Sequence, residues 1–217
     1  MRQTGLALVF AFLLGLAAAP ACAQPVPSFE CAKARSATEK TICDDFSLSW
    51  QDQQLNRLYG DVRQLLAESA RTALRDEQRA WVGKRNACGG NGDCIGQLSR
   101  QRLQALSAQV NPRTLTGSFS YAEKGLAGDM TLVEFPGKRA SGYIATVNTS
   151  TTHSCTVDMA GLTVDGQTLT WNDPEESDGQ HCRVDITIGP GGAVVAANTC
   201  RSWCGMSGTF EGRYKRR

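Results

Sequence analysis

Leu103-Gln104-Ala105-Leu106-Ser107-Ala108-Gln109-Val110-Asn111-Pro112-Arg113-Thr114-Leu115-Thr116-Gly117-Ser118-Phe119-Ser120-Tyr121 contains the change of period that decides the fold. Up to Val110 the apolar residues recur every three to four positions, the spacing of a helix buried along one face. From Gly117 aromatic and small residues alternate, the period of a strand. Between them stands Asn111-Pro112-Arg113. Proline pushes the preceding residue out of the helical region, so the helix stops there. The chain divides at this point into a helical part, residues 28–110, and a strand part, residues 115–217.

Upstream, Leu48, Leu55, Leu58, Tyr59, Val62, Leu65 and Leu66 mark one stripe of a long helix. Leu74, Gln78, Trp81, Arg85 and Cys88 mark a second. A short helix around Thr38 ends near Cys43, and Gly89-Gly90-Asn91-Gly92 is a turn before the last helix, Ile95 to Val110. A short link near Glu68–Thr72 makes the two long helices antiparallel neighbours. Folding back from it places Cys43 and Cys94 at one end. Of the three pairings that four cysteines allow, this arrangement favours Cys31–Cys88 and Cys43–Cys94. Each bridge would close a loop of about 50–60 residues, worth about 4 kcal/mol in the chain-entropy model.

Downstream, about eight short strands are separated by Pro136-Gly137, Asp165-Gly166 and Gly189-Pro190-Gly191-Gly192. That pattern predicts a small antiparallel β-barrel or sandwich, with the first and last strands pairing to close it. The fold class is therefore α+β in two domains: a disulfide-stapled helical hairpin or bundle, then the β unit. Cys155 and Cys182 fall on strands and suit a cross-strand bridge. Cys200 and Cys204 would close a local loop around Trp203.

The N-terminus reads as a secretory leader. Arg2 is the positive flank, Leu6–Ala19 the apolar run, and Ala21-Cys22-Ala23 an A-x-A cleavage site, giving residues 1–23 as signal peptide. Lipid attachment at Cys22 is the weaker reading, because Ala19-Pro20-Ala21 is a poor flank for it. Cleavage leaves eight cysteines, an even set suited to the oxidising periplasm or the medium. No other segment is long and apolar enough to span a membrane. The formal net charge is +2 and neither half is strongly basic, which argues against nucleic acid as a partner.

Catalytic arrangements find little support. The helical part has no histidine, so it cannot hold a Ser-His-Asp set. His153 and His181 lie beside Cys155 and Cys182, a set zinc accepts, but oxidation consumes the thiols and adjacent strand residues face opposite ways. The same oxidation abolishes a Cys–His nucleophile. The carboxylates of Asp173-Pro174-Glu175-Glu176-Ser177-Asp178 read as a solvated loop, not a glycosidase pair. No enzyme activity, metal or cofactor is expected.

Phe29-Glu30-Cys31-Ala32-Lys33-Ala34, Thr38-Glu39-Lys40-Thr41-Ile42-Cys43 and Asp52-x-x-Leu55-x-x-x-Tyr59, followed by Gln78-x-x-Trp81-x-x-x-Arg85-x-x-Cys88 and Cys94-Ile95, form an ordered set. It resembles the lysozyme inhibitor LprI-like N-terminal domain family, over roughly residues 28–108. Gln51 stands where the family usually has Leu, and Ser99 where it has an aromatic residue. The resemblance implies an exported envelope protein that binds a lysozyme and blocks it sterically. It marks Glu39, Asp52, Tyr59, Trp81 and Arg85 as signature residues. Their plainer role is folding: Trp81 in the core, Asp52 and Arg85 as a pair or caps, Glu39 fixing the short helix. Because animal-type lysozymes are basic, the acidic loop beside Trp171 offers candidate docking residues: Trp171, Asp173, Glu175, Glu176 and Asp178. The alternative is a non-enzymatic periplasmic structural or small-ligand-binding protein.

Overall fold

A computed structural model describes residues 26–123, 125–177, 180–204 and 208–217. The expected leader and Cys22 lie outside the described residues, as does Asp178.

A 3-10 turn, Cys31–Lys33, leads into α1 (Ala37–Asp44), α2 (Phe46–Leu65), α3 (Glu68–Asn86) and α4 (Gly92–Val110). Three of the four starts carry a side-chain cap. Ser36 and Glu39 form a reciprocal capping box on α1, satisfying donors that the first turn leaves over. Asp45 caps α2 by accepting from the Leu48 N–H, and Asn91 caps α4 by accepting from the Cys94 N–H. The link between α2 and α3 is only Leu66-Ala67, shorter than the expected stretch, and in place of the expected close α2–α3 pair both helices pack chiefly on α4.

Eight strands follow: β1 (Gly117–Glu123), β2 (Leu126–Phe135), β3 (Arg139–Asn148), β4 (Ser154–Asp165), β5 (Thr168–Ser177), β6 (Gln180–Gly189), β7 (Gly192–Asn198) and β8 (Gly212–Arg216). Each pairs antiparallel with the next, and β8 returns to β1 through Phe119↔Arg216 and Ser120↔Lys215, closing an up-and-down barrel. The fold class is α+β, and between barrel and sandwich the barrel is the outcome. The C-terminal basic residues belong to this closure. Arg217 N–H donates to the Ser118 carbonyl, and Arg216 lies over the Phe119 ring. At Gly212 (φ 149°) a Cβ would sit 2.3 Å from the Tyr121 ring, so only glycine lets β8 approach the stacked Tyr121 and Tyr214.

Inward side chains of the barrel, among them Phe119, Met130, Ile144, Met159, Trp171 and Phe210, pack into one buried cluster. A second cluster joins the two parts of the chain. Trp50, Leu58, Val62, Leu103 and Leu106 from α2 and α4 pack on Val133, Phe135 and Tyr143, which point outward from β2 and β3. The helical layer is thus docked on the barrel wall. Polar bonds fix the contact. Trp50 Nε1 donates to Asp158 Oδ1 at 2.8 Å. Glu134 on β2 accepts from the Leu115 N–H at 2.7 Å and from Asn111 Nδ2 at 3.0 Å, clasping the linker.

All eight cysteines described are bridged, in pairs other than those expected: Cys31–Cys43, Cys88–Cys94, Cys155–Cys204 and Cys182–Cys200. In place of Cys31–Cys88 and Cys43–Cys94, each helical bridge is local. The Cys31 turn folds back onto the end of α1, and the Gly89–Asn91 turn brings Cys88 to the start of α4. Sequence separations of 12 and 6 make these bridges worth about 3 and 2.4 kcal/mol in the chain-entropy model, less than the long loops would give. In place of Cys155–Cys182 and Cys200–Cys204, the segment Cys200–Cys204 is a strap. The β4–β5 ladder covers only Thr163–Asp165 with Thr168–Thr170. Beyond it the strap lies against β4 through a Cys155↔Cys204 bridge and is tied to β6 through Cys182.

Candidate functional site

Of the signature residues, Asp52 on α2 and Trp81 and Arg85 on α3 come together. Asp52 and Arg85 form a buried ion pair, Nη1 to Oδ1 at 2.7 Å, with side chains 7% and 11% exposed. Asp52 Oδ2 also accepts from the Ser28 backbone N–H at 2.9 Å and from Ser28 Oγ at 2.6 Å. This carboxylate therefore pins the entering chain to α2 as well as α3. One turn before Arg85 on α3, the Trp81 ring lies under its guanidinium at 5.0 Å, and Trp81 Nε1 donates to the Leu98 carbonyl of α4. Tyr59 packs at the edge of the shared core. Glu39 accepts from the N–H groups of Ser36 and Arg35, and those bonds hold its carboxyl below the usual range. Geometry gives these residues structural partners.

The expected docking loop is not a loop. Asp173 to Ser177 continue β5, and the pairing skips from Asn172↔Arg183 to Glu176↔His181. Pro174, which cannot donate to a ladder, sits in that irregularity. Trp171 is 4% exposed, turned into the barrel against Trp203 at 6.0 Å. Asp173 is 7% exposed and accepts from Trp203 Nε1 at 2.9 Å. Both hold the strap rather than face solvent. Glu175 is exposed, and Glu176 is placed only through its backbone pairing with His181.

Burial also shapes the interface between layers. Asp158 is raised from the usual carboxylate range by desolvation, against the opposing bond from Trp50. Tyr143 is pushed up to about 12, first by burial and then by the charges of Asp45 and Asp158. Trp50, Ser28 and Glu134 escaped the sequence reading. The Trp50-x-x-x-Gln54-x-x-x-Leu58 spacing was the visible signal for the first, as a second buried face of α2.

On the outer side, α3 and α4 frame a groove of about 390 Å³ floored by Trp81 and Leu98, with Arg102, Lys84 and Glu77 around it. No described helix is long and apolar enough to cross a membrane. Among the described residues no group of three or more His, Cys, Asp or Glu is placed to hold a metal ion.

Residues 31–112 match a family model described as "Lysozyme inhibitor LprI". No curated protein and no solved structure matches the chain. The match covers the helical layer and the start of the linker.

Proposed function

We propose that this chain is an exported envelope protein that binds a lysozyme and inhibits it by steric occlusion. The observation that carries the proposal is the family match over residues 31–112. Four bridges and the shared core support it, because a surface already rigid loses little entropy on binding. All eight described cysteines are spent in bridges, which fits action without a covalent step. The barrel covers one side of α2 and α4, so the face offered to the partner is that of α3 and the outer side of α4.

The test is clearance of a bacterial cell-wall suspension by lysozymes of several types, with and without the oxidised chain from Gln24. Dose-dependent slowing at micromolar inhibitor is expected for at least one type. Full clearance rates against every type at that concentration would remove the proposal.

A further inference from the structure

The barrel has a seam between β4 and β5. Those strands pair only through Thr163–Asp165 and Thr168–Thr170, while the β4 ladder with β3 runs back to Ser154. Across the seam, β5 stays paired with β6 out to Ser177. From Thr156 to Leu162 the β4 edge that faces β5 pairs with no strand among the described residues. Gly161, exposed and at φ 75°, bulges out of β4 there, and Pro174 stands on the facing strand. Bulges and prolines are devices that keep a bare strand edge from pairing wrongly.

The strap Cys200–Cys204 spans this seam. Cys204 is bridged to Cys155 on β4 and Cys200 to Cys182 on β6. Between them Trp203 packs on Trp171 and donates to Asp173, both on β5. The two bridges differ in access. Cys182 and Cys200 are both buried, and so is Cys155, but Cys204 is partly exposed. Thiol–disulfide exchange depends on access to the sulfur under attack, which singles out Cys204. At the other end the chain turns from β7 into the strap at Thr199, with φ 57° and its hydroxyl donating to the His181 carbonyl. A β-branched residue is strained in that region, so the strap is held by its fastenings and not by local preference.

We propose that the Cys155–Cys204 bridge is a reducible latch: its opening frees the strap from the β4–β5 seam, with Cys182–Cys200 retained as the hinge. The reductant is a dithiol. One of its thiolates attacks the Cys204 sulfur, the S–S bond breaks, and Cys155 leaves as a thiolate that takes a proton. The second thiol then displaces Cys204 and closes the reductant's own disulfide, so two electrons and two protons pass to the protein. Only the Trp203–Asp173 bond and the ring contact then oppose release. In the released state Trp171 and the β4 edge meet solvent. The latch does not depend on lysozyme inhibition.

The test starts from the oxidised chain from Gln24, reduced stepwise with dithiothreitol and trapped by alkylation for peptide mapping. Cys155–Cys204 is expected to open about tenfold faster than Cys182–Cys200. Cys31–Cys43, with Cys31 exposed, opens early and stands outside the comparison. Hydrogen exchange of the indole N–H groups then reads the strap, both in the trapped species and in Cys155→Ala with Cys204→Ala. The Trp203 indole should exchange about tenfold faster than in the oxidised chain, as expected for a hydrogen bond whose support is lost. The Trp50 indole, bonded to Asp158 away from the strap, should keep its rate and so report an intact barrel. Opening of Cys182–Cys200 first or at the same rate would overturn the proposal. So would an unchanged Trp203 rate in the trapped species, or a Trp50 rate that rises with it.

Discussion

Removing the Asp52 carboxylate is the most informative single change. In Asp52→Ala, Arg85 keeps its charge in a site where its side chain is 11% exposed, and Ser28 loses the acceptor of both its N–H and its hydroxyl. Orphaning one partner of a buried pair costs about 3–5 kcal/mol. For a chain of this size that lowers Tm by about 6–20 °C. Arg85→Met is milder, about 2–3 kcal/mol, because Ser28 still supplies Asp52 with two donors. The double variant leaves no orphaned charge and should cost no more than about 4 kcal/mol, less than the two single losses together. Thermal melts and urea unfolding of the four proteins, with bridges intact, measure the cycle. Additive losses within about 0.5 kcal/mol, or a loss below about 1 kcal/mol in Asp52→Ala, would refute the claim that this pair and Ser28 form one buried network.

Non-reducing peptide mapping should recover Cys31–Cys43, Cys88–Cys94, Cys155–Cys204 and Cys182–Cys200; a Cys43–Cys94 peptide would contradict the local stapling of the helices. Replacing Cys88 and Cys94 together by serine should cost about 2–3 kcal/mol, measured by urea unfolding. Trp203→Phe leaves the buried Asp173 without its indole donor and should cost about 1–3 kcal/mol, read from the melting curve. Asp158 has a raised folded pKa, so the folded state holds its proton more tightly than the unfolded chain. Its contribution is most favourable at low pH and declines as pH rises from the unfolded value, about 4, up to the raised folded one. Asp158→Asn, which keeps an acceptor for Trp50, should flatten that part of the stability–pH curve; an unchanged curve would show that Asp158 is not desolvated.

The elements themselves were written in local pattern. The three-to-four spacing from Leu48 to Val110 specified the helices, and alternation from Gly117 specified the strands, because both periods follow from backbone geometry within a few residues. Pairing of the first and last strands was legible too, although β8 begins at Gly212, beyond Phe210, and meets β1 through Lys215 and Arg216. The Asp52–Arg85 pairing was visible only through the family pattern, since 33 residues separate them.

Contacts between distant segments were not legible, and three decisions rested on them. Disulfide partners depend on which sulfurs meet, and the turns at Cys31 and Gly89–Asn91 settled that in favour of short loops. Trp171 and Asp173 looked like a solvent-facing acidic loop, but the incomplete β4–β5 ladder drew Trp203 over them and buried both. Trp50, Val133 and Tyr143 reveal their roles only when the helical layer covers the barrel wall. Periodicity says which face of an element is apolar; only packing in three dimensions says what covers it.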